Sequence, residues 1–132
     1  MQNKAPATPS RPVTGRFAPS PSGRLHLGNL ACSLLAWLYA KRSGGKIVLR
    51  IEDLDPQRCS LAKADALARE LEWLGLTWDE GAYCSADSDS FFQSRRSDIY
   101  AHYFDLLQQQ ELVYPCFCSR SIVLPHICCL CC

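Results

Sequence analysis

The sequence predicts an α/β fold that starts as a strand–helix–strand unit of a parallel sheet, and three observations carry that prediction. A strand-forming run, "VTGRFAPS", breaks at Pro19 and Pro21. An apolar helix-forming run, "NLACSLLAWLYAKR", follows and stops at Gly44 and Gly45. A second strand-forming run, "KIVLRIED", alternates Ile47, Leu49 and Ile51 with Lys46, Val48 and Arg50. Two strands joined by a helix pair in parallel through a right-handed crossover.

Each element has its local cause. Val13 and Phe17 favour extended backbone, and the two prolines cannot continue a central ladder. The first helix is expected from Asn29 to Arg42. Asn29 suits an N-cap, Leu30, Leu34 and Leu38 share one face, and Lys41 and Arg42 suit the negative end of the helix dipole. Ser60 can cap a second helix, "LAKADALARELEWLG", in which Leu61, Ala64, Leu67, Leu71 and Leu74 keep helical spacing and Gly75 is a natural stop. With Trp73 and Trp78 nearby, that stripe reads as core rather than as a base-stacking platform. A short strand is expected around Thr77 and Trp78. A third helix is expected between Phe91 and Gln110, with Ile99, Tyr103, Leu106 and Leu107 inward, before "LVYPCFC" turns extended.

Composition narrows the function classes. A chain of 132 residues makes one compact domain at most, or part of one. Fourteen basic residues against 13 acidic ones leave a net charge of +1, so no global field draws the protein to nucleic acid or an anionic membrane, and any nucleic-acid contact must be local. Residues 1–12 are polar and Pro-rich, as in a disordered tail, and contain no signal-peptide core. The longest apolar stretch, Leu30 to Ala40, is interrupted by Ser33 and too short to cross a bilayer. A cytoplasmic protein with no membrane partner is expected. Nine cysteines without a signal sequence argue against a secreted disulfide framework and toward zinc, with Cys116 and Cys118 forming a C-x-C pair.

The stretch "GRFAPSPSGRLHLGNL", residues 15–30, carries the chemistry. A strand that ends in a Pro- and Gly-rich turn and feeds a helix presents unpaired backbone N–H groups and a positive dipole end, which suits phosphate. His26 can donate to phosphate oxygens, and Gly28 lets a flat base or ribose come close to the backbone. A capping or surface role for His26 is the plainer alternative. Neither G-x-x-x-x-G-K-[ST] nor G-x-G-x-x-G is present, so the common phosphate-loop and dinucleotide readings do not apply.

"GRFAPSPSGRLHLGN", "LRIEDLDPQR", "LEWLGLTWDEG" and "YPCFCSR", in this order and at these separations, resemble the N-terminal half of class I glutamyl-type aminoacyl-tRNA synthetases. In that group H-x-G-[NHS] is a signature, and the resemblance covers Gly15 to Arg120. Ser22, Asn29 and the C-x-C pair are most similar to the glutamyl-queuosine tRNA(Asp) synthetase branch; conventional glutamyl-tRNA synthetase is the close rival. The resemblance implies the N-terminal half of a Rossmann-like catalytic domain that activates glutamate with ATP. In that branch the amino acid passes to queuosine at the wobble position of tRNA(Asp). It places Arg16, Ala18 and Ser20 in a glutamate pocket with Glu52 holding the substrate ammonium, and His26, Gly28 and Asn29 at ATP, with His26 and Gly28 as catalytic residues. Asp53 and Asp55 read instead as a scaffolded strand end and turn, with Arg50 paired to an acid.

The sequence also departs from the family. Family members close a zinc site around the C-x-C pair with a tyrosine and a further cysteine; here Arg120 is followed by "SIVLPHICCLCC". Cys116 and Cys118 are expected to face a common point, with the terminal cysteines failing to complete a tetrahedral cage. No K-M-S-K-S-type lysine loop is present. The expected layout is a tail at 1–12, a partial catalytic domain at 13–120 and an atypical Cys-rich tail at 121–132, as in a truncated reading of the family. A non-catalytic binding fragment is the competing class.

Overall fold

The computed structural model describes residues 11–84 and 88–117, which fall into two compact units meeting between Ser97 and Asp98. The expectations for the first ten residues, for Cys118 and for the Cys-rich 121–132 segment lie outside the described residues.

The first unit follows the predicted alternation: β1 (Thr14–Phe17), α1 (Leu27–Arg42), β2 (Lys46–Leu49), α2 (Leu61–Trp73) and β3 (Glu80–Gly81). The sheet runs β1-β2-β3 and both pairings are parallel, with Thr14 opposite Lys46, Phe17 opposite Leu49 and Val48 opposite Glu80. Alternation along β2 is as read from the sequence: Ile47, Leu49 and Ile51 are fully buried while Lys46 is exposed. These three join Phe17 from β1, Ala40 from α1 and Ala64, Leu67 and Leu71 from α2 in one core. Ser60 caps α2, its side chain accepting the Lys63 N–H at 3.4 Å. Gly75 ends the helix at φ +74, a conformation that side-chain-bearing residues rarely adopt.

Helix α1 departs from its prediction at both its start and its face. It begins two residues earlier than expected, with His26 rather than Asn29 as its N-cap. The leucine stripe does not face the sheet: Leu34 is 45% and Leu38 49% exposed, and Leu35 is 68% exposed. Contact is made by Ala40, Ala36 and Trp37. The reason is proximity. A Cβ placed on Gly15 would lie 2.7 Å from Ile47 Cδ1 and 3.3 Å from both the Ala36 carbonyl and Ala40 Cβ, so at this spacing alanine fits between helix and strand and leucine does not.

A carboxylate ties α1 to the sheet. Lys41 Nζ donates to both oxygens of Asp79 at 2.8 Å, and the Ile47 N–H donates to Asp79 Oδ2 at 2.8 Å. The Thr77 carbonyl accepts from Trp37 Nε1 at 3.1 Å, the first backbone bond of this segment to β2 runs from the Asp79 N–H to the Ile47 carbonyl at 2.8 Å, and the third strand starts at Glu80 and not around Thr77 and Trp78. Of the residues assigned to the α2 core stripe, Leu61 and Leu74 at its ends are exposed, and Trp73 is 85% exposed. Trp78 is half-buried, with Nε1 donating to the Ala82 carbonyl at 2.9 Å.

The third helix is also shorter than predicted. Phe92 is extended, at φ −93 and ψ 121, because Ile51 bridges it in parallel: Ile51 N–H donates to Phe91 O at 2.9 Å and Gln93 N–H to Ile51 O at 3.0 Å. That bridge splits the segment into two 3-10 turns, Ser88–Phe91 and Gln93–Arg96, before α3 (Ser97–Gln109) begins. The second unit, among its described residues, is the rest of α3 and the segment after it, where Leu112 N–H returns to Leu107 O at 3.0 Å. One helix with a short return cannot enclose a core, and Ile99, Tyr103, Leu106 and Leu107 are exposed rather than inward.

Candidate nucleotide and amino-acid site

The candidate site lies where β1 and β2 run out, at the carboxyl ends of adjacent parallel strands, the usual ligand crevice of such sheets. β1 gives way at Ala18 to a turn through Pro21, which is buried. Glu52 N–H donates to Pro19 O at 3.0 Å and Arg50 N–H to Phe17 O at 2.8 Å. These bonds continue the β1–β2 pairing past the strands proper and hold the Glu52 segment beside the turn.

His26 stands at the mouth of α1 with its Nδ1 accepting the Asn29 N–H at 3.4 Å. In neutral imidazole an accepting Nδ1 leaves the proton on Nε2, so the exposed ring carries its donor on the solvent side. The capping and ligand readings of this histidine therefore do not exclude one another: one nitrogen serves the helix and the other remains for a ligand. Gly28 is what accommodates the ring. A Cβ there would sit 3.2 Å from His26 Cε1 and Nδ1, close enough that the imidazole would have to give by a few tenths of an ångström.

Two hollows flank the strand ends. Arg16, Ala18 and Asn29 line the first, of about 270 Å³, together with Pro19, Cys32 and Ser33. Ser20 and Glu52 line the second, of about 410 Å³, together with Ser22, Leu54, Arg58 and Cys59. The structure thus brings Arg16 together with Ala18, and Ser20 together with Glu52, but Arg16 and Glu52 do not share a hollow. Glu52 is held back by its own strand: Arg50 Nε donates to Glu52 Oε1 at 2.7 Å and Arg50 Nη2 lies 2.5 Å from the same oxygen. Arg50 therefore pairs with Glu52, the acid set apart from the scaffold by the sequence reading. Glu52 Oε2 has no hydrogen bond among the described residues. Asp53 and Asp55 do act as scaffold: Asp53 accepts from the Ser94 N–H at 2.9 Å and hydroxyl at 2.6 Å, and Asp55 Oδ1 accepts from the Gln57 and Arg58 N–H groups at 3.0 and 3.2 Å.

Several lining residues were not singled out from the sequence. Ser33 was visible as the polar break in an apolar helix, and Arg58 as the last residue of "LRIEDLDPQR"; Cys32 and Cys59 carried no local signal. The metal reading cannot be assembled within the described residues. Cys116 is an exposed free thiol, its partner Cys118 lies outside them, and among them no three His, Cys, Asp or Glu side chains are grouped to hold an ion. No helix among the described residues is long and apolar enough to cross a membrane.

The chain is similar to known proteins in sequence and in fold. Residues 12–123 match the family described as tRNA synthetases class I (E and Q), catalytic domain. The glutamyl-Q tRNA(Asp) synthetase of Nitratidesulfovibrio vulgaris is 46% identical over 109 residues, covering 83% of this chain and 34% of the relative. Glutamate–tRNA ligase 2 of Alkalilimnicola ehrlichii is 45% identical over 108 residues, 82% of this chain and 23% of the relative. Among solved structures, a glutamate tRNA ligase from Elizabethkingia meningosepticum in complex with its amino acid superposes with a TM-score of 0.70 at 36% identity, covering 87% of this chain and 23% of that one. The chain spans about a third or less of the length of these relatives. It belongs to the class I tRNA synthetases of the E and Q group, and what it carries is the N-terminal portion of their α/β catalytic domain.

Proposed function

We propose that this chain is the ATP- and glutamate-binding portion of a ligase that activates glutamate and delivers it to tRNA. The observation that carries the reading is that Asn29, in the first turn of the His26-capped helix, lines one hollow at the strand ends with Arg16, while Glu52, just past β2, lines the other with Ser20. In the reaction a glutamate carboxylate oxygen bonds to the α-phosphorus of ATP, and the bond from that phosphorus to the bridging oxygen breaks, releasing pyrophosphate. This step needs placement and charge stabilisation more than covalent help from the protein. His26 Nε2–H and the open N–H groups of the first turn of α1 meet phosphate oxygens, with Asn29 beside them. Gly28 keeps the imidazole in place. The free oxygen of Glu52 takes the substrate ammonium, Ser20 donates its hydroxyl to the same hollow, and Arg16, with Ala18 beside it, offers its guanidinium to a substrate carboxylate.

We assign the acceptor to queuosine at the wobble position of tRNA(Asp), supported by the names of two relatives at 46% and 48% identity. Conventional transfer to the tRNA 3′ end is the second reading, favoured by the Elizabethkingia glutamate ligase structure.

ATP titration of the 132-residue chain tests the nucleotide reading. His26→Ala and Gly28→Ala should each weaken ATP binding tenfold or more, on the order of one lost charge-assisted contact. Unchanged affinity in both would overturn it. Glutamate-dependent ATP–pyrophosphate exchange by these residues alone should be negligible. They hold no lysine loop opposite the phosphates, and losing one preorganised contact of that kind costs ~10²–10³ in rate. A gel-shift preference for queuosine-bearing tRNA(Asp) over tRNA(Glu) distinguishes the two acceptors.

A further inference from the structure

The side of α2 turned from the core carries a surface that the nucleotide site does not use. Trp73 closes the helix with its indole exposed, Arg69 stands one turn before it on the same face, and Ala66 one turn before that. Arg24, from the loop ahead of His26, crosses to this face and is fixed there by Glu70: Arg24 Nε donates to Glu70 Oε1 at 2.9 Å, and Glu70 Oε2 accepts the Leu25 N–H at 3.2 Å. The five side chains Arg24, Ala66, Arg69, Glu70 and Trp73 line a hollow of about 460 Å³.

Its chemistry is specific. Glu70 is paired with Arg24, and Arg69, which lies near enough to act on Tyr83 beside Asp65, makes no hydrogen bond or ion pair of its own among the described residues. Arg24 engages Glu70 through its inner nitrogen, and with its side chain 91% exposed the terminal nitrogens face solvent. An exposed indole that shares its hollow with two arginines and the small side chain of Ala66 suits a nucleobase stacked on the ring with its phosphates on the arginines. An aliphatic partner would desolvate the guanidiniums without pairing them.

We infer that this hollow on α2 is a contact surface for an unpaired strand of the tRNA, with Trp73 as stacking platform and Arg24 and Arg69 as phosphate contacts. The inference rests on the tRNA-ligase reading. It also reverses the sequence expectation that Trp73 belongs to the core.

The probe is a fluorescein-labelled single-stranded RNA of about ten nucleotides, titrated with the 132-residue chain by anisotropy. Two phosphate contacts on a single strand give a slope of log affinity against log salt of about −1.4. Trp73→Ala should weaken binding on the order of tenfold while Trp73→Phe retains most of it. Arg69→Gln should flatten the salt slope by about 0.7. ATP affinity, measured on the same proteins, should not change, because neither Trp73 nor Arg69 lines the hollows at the strand ends. RNA affinity equal in wild type and Trp73→Ala, or no RNA binding by the wild type, overturns the inference. So does a concentration-dependent dimer that Trp73→Ala abolishes while RNA affinity holds, since the surface would then join two copies of the chain. Loss of the ATP result with the RNA result intact removes the nucleotide reading and leaves this surface standing.

Discussion

Helix α2 meets the sheet with Leu67 and Leu71 alongside Ala64 and Ala68, whereas α1 buries Ala40 alone, sets Ala36 and Trp37 against the core, and leaves Leu34, Leu35 and Leu38 exposed. Both helices are rich in apolar residues, and a count of leucines would rank α1 as the better buried. What separates them is the distance at which each approaches the strands. At Gly15, α1 comes so close to the sheet that Ala36 and Ala40 are the residues facing the strand there, while α2 leaves room that leucine fills. Burial on a sheet is decided by the gap to be filled as much as by the hydrophobicity of the helix.

The largest expected effect tests that contrast directly. Leu71→Ala should cost about 2–5 kcal/mol, since Leu71 is fully buried and its loss leaves a cavity; Leu35→Ala should stay within about 0.5 kcal/mol. Urea denaturation reads both, and equal costs would erase the difference between the two helices. Gly15→Ala should come next, at ~1–3 kcal/mol, because its methyl must displace Ile47 or push α1 outward. A neutral result in the same assay would mean that the close approach of α1 is not what excludes its leucines.

The smallest effect is a pH dependence. Lys41 and then the Ile47 N–H hold the Asp79 carboxyl below its ordinary range, and Arg24 and then the Leu25 N–H do the same for Glu70. A carboxyl lowered on folding contributes stability that is present above its unfolded value and is lost as pH falls through the lowered folded value. Melting temperature should therefore decline on the acid side. Asp79→Asn should flatten part of that decline through α1, and Glu70→Gln another part through α2, each modestly because these groups are exposed to solvent. An acid slope unchanged in both variants would show that the two clips add nothing to either helix.

Much of this fold can be read from local rules. Ser60 and Gly75 mark α2, the alternation along β2 marks the buried side of the central strand, and Pro19 and Pro21 end β1 within the expected turn. What could not be read depends on partners distant in the sequence. The face of α1 is set by Gly15 and Ile47, the start of β3 by the bond from Asp79 N–H to the Ile47 carbonyl, and the break before α3 by the bridge from Ile51 to Phe92. The cap of α1 was misplaced because His26 ranks below Asn29 as a capping residue by type, yet its Nδ1 reaches the right N–H. In the candidate site, the place of His26 and Gly28 at the head of the first helix follows from the Pro- and Gly-rich turn that precedes the apolar run. The hold of Arg50 on Glu52 and the division into two hollows arise from side-chain geometry that spacing does not encode.

The register of the sheet also fixes the order in which it can be made. Thr14 has no strand to pair with until Lys46 has been synthesised, and Val48 none on its far side until Glu80 follows. Every pairing is therefore non-local and waits for a complete intervening helix, so the entropy of closing each loop must be met before any ladder bond forms. On the ribosome, which releases the amino end first, β1 must remain unpaired through the whole translation of α1. The first dock for the nascent strand is Lys46–Leu49, and β3 is the last of the three strands able to join.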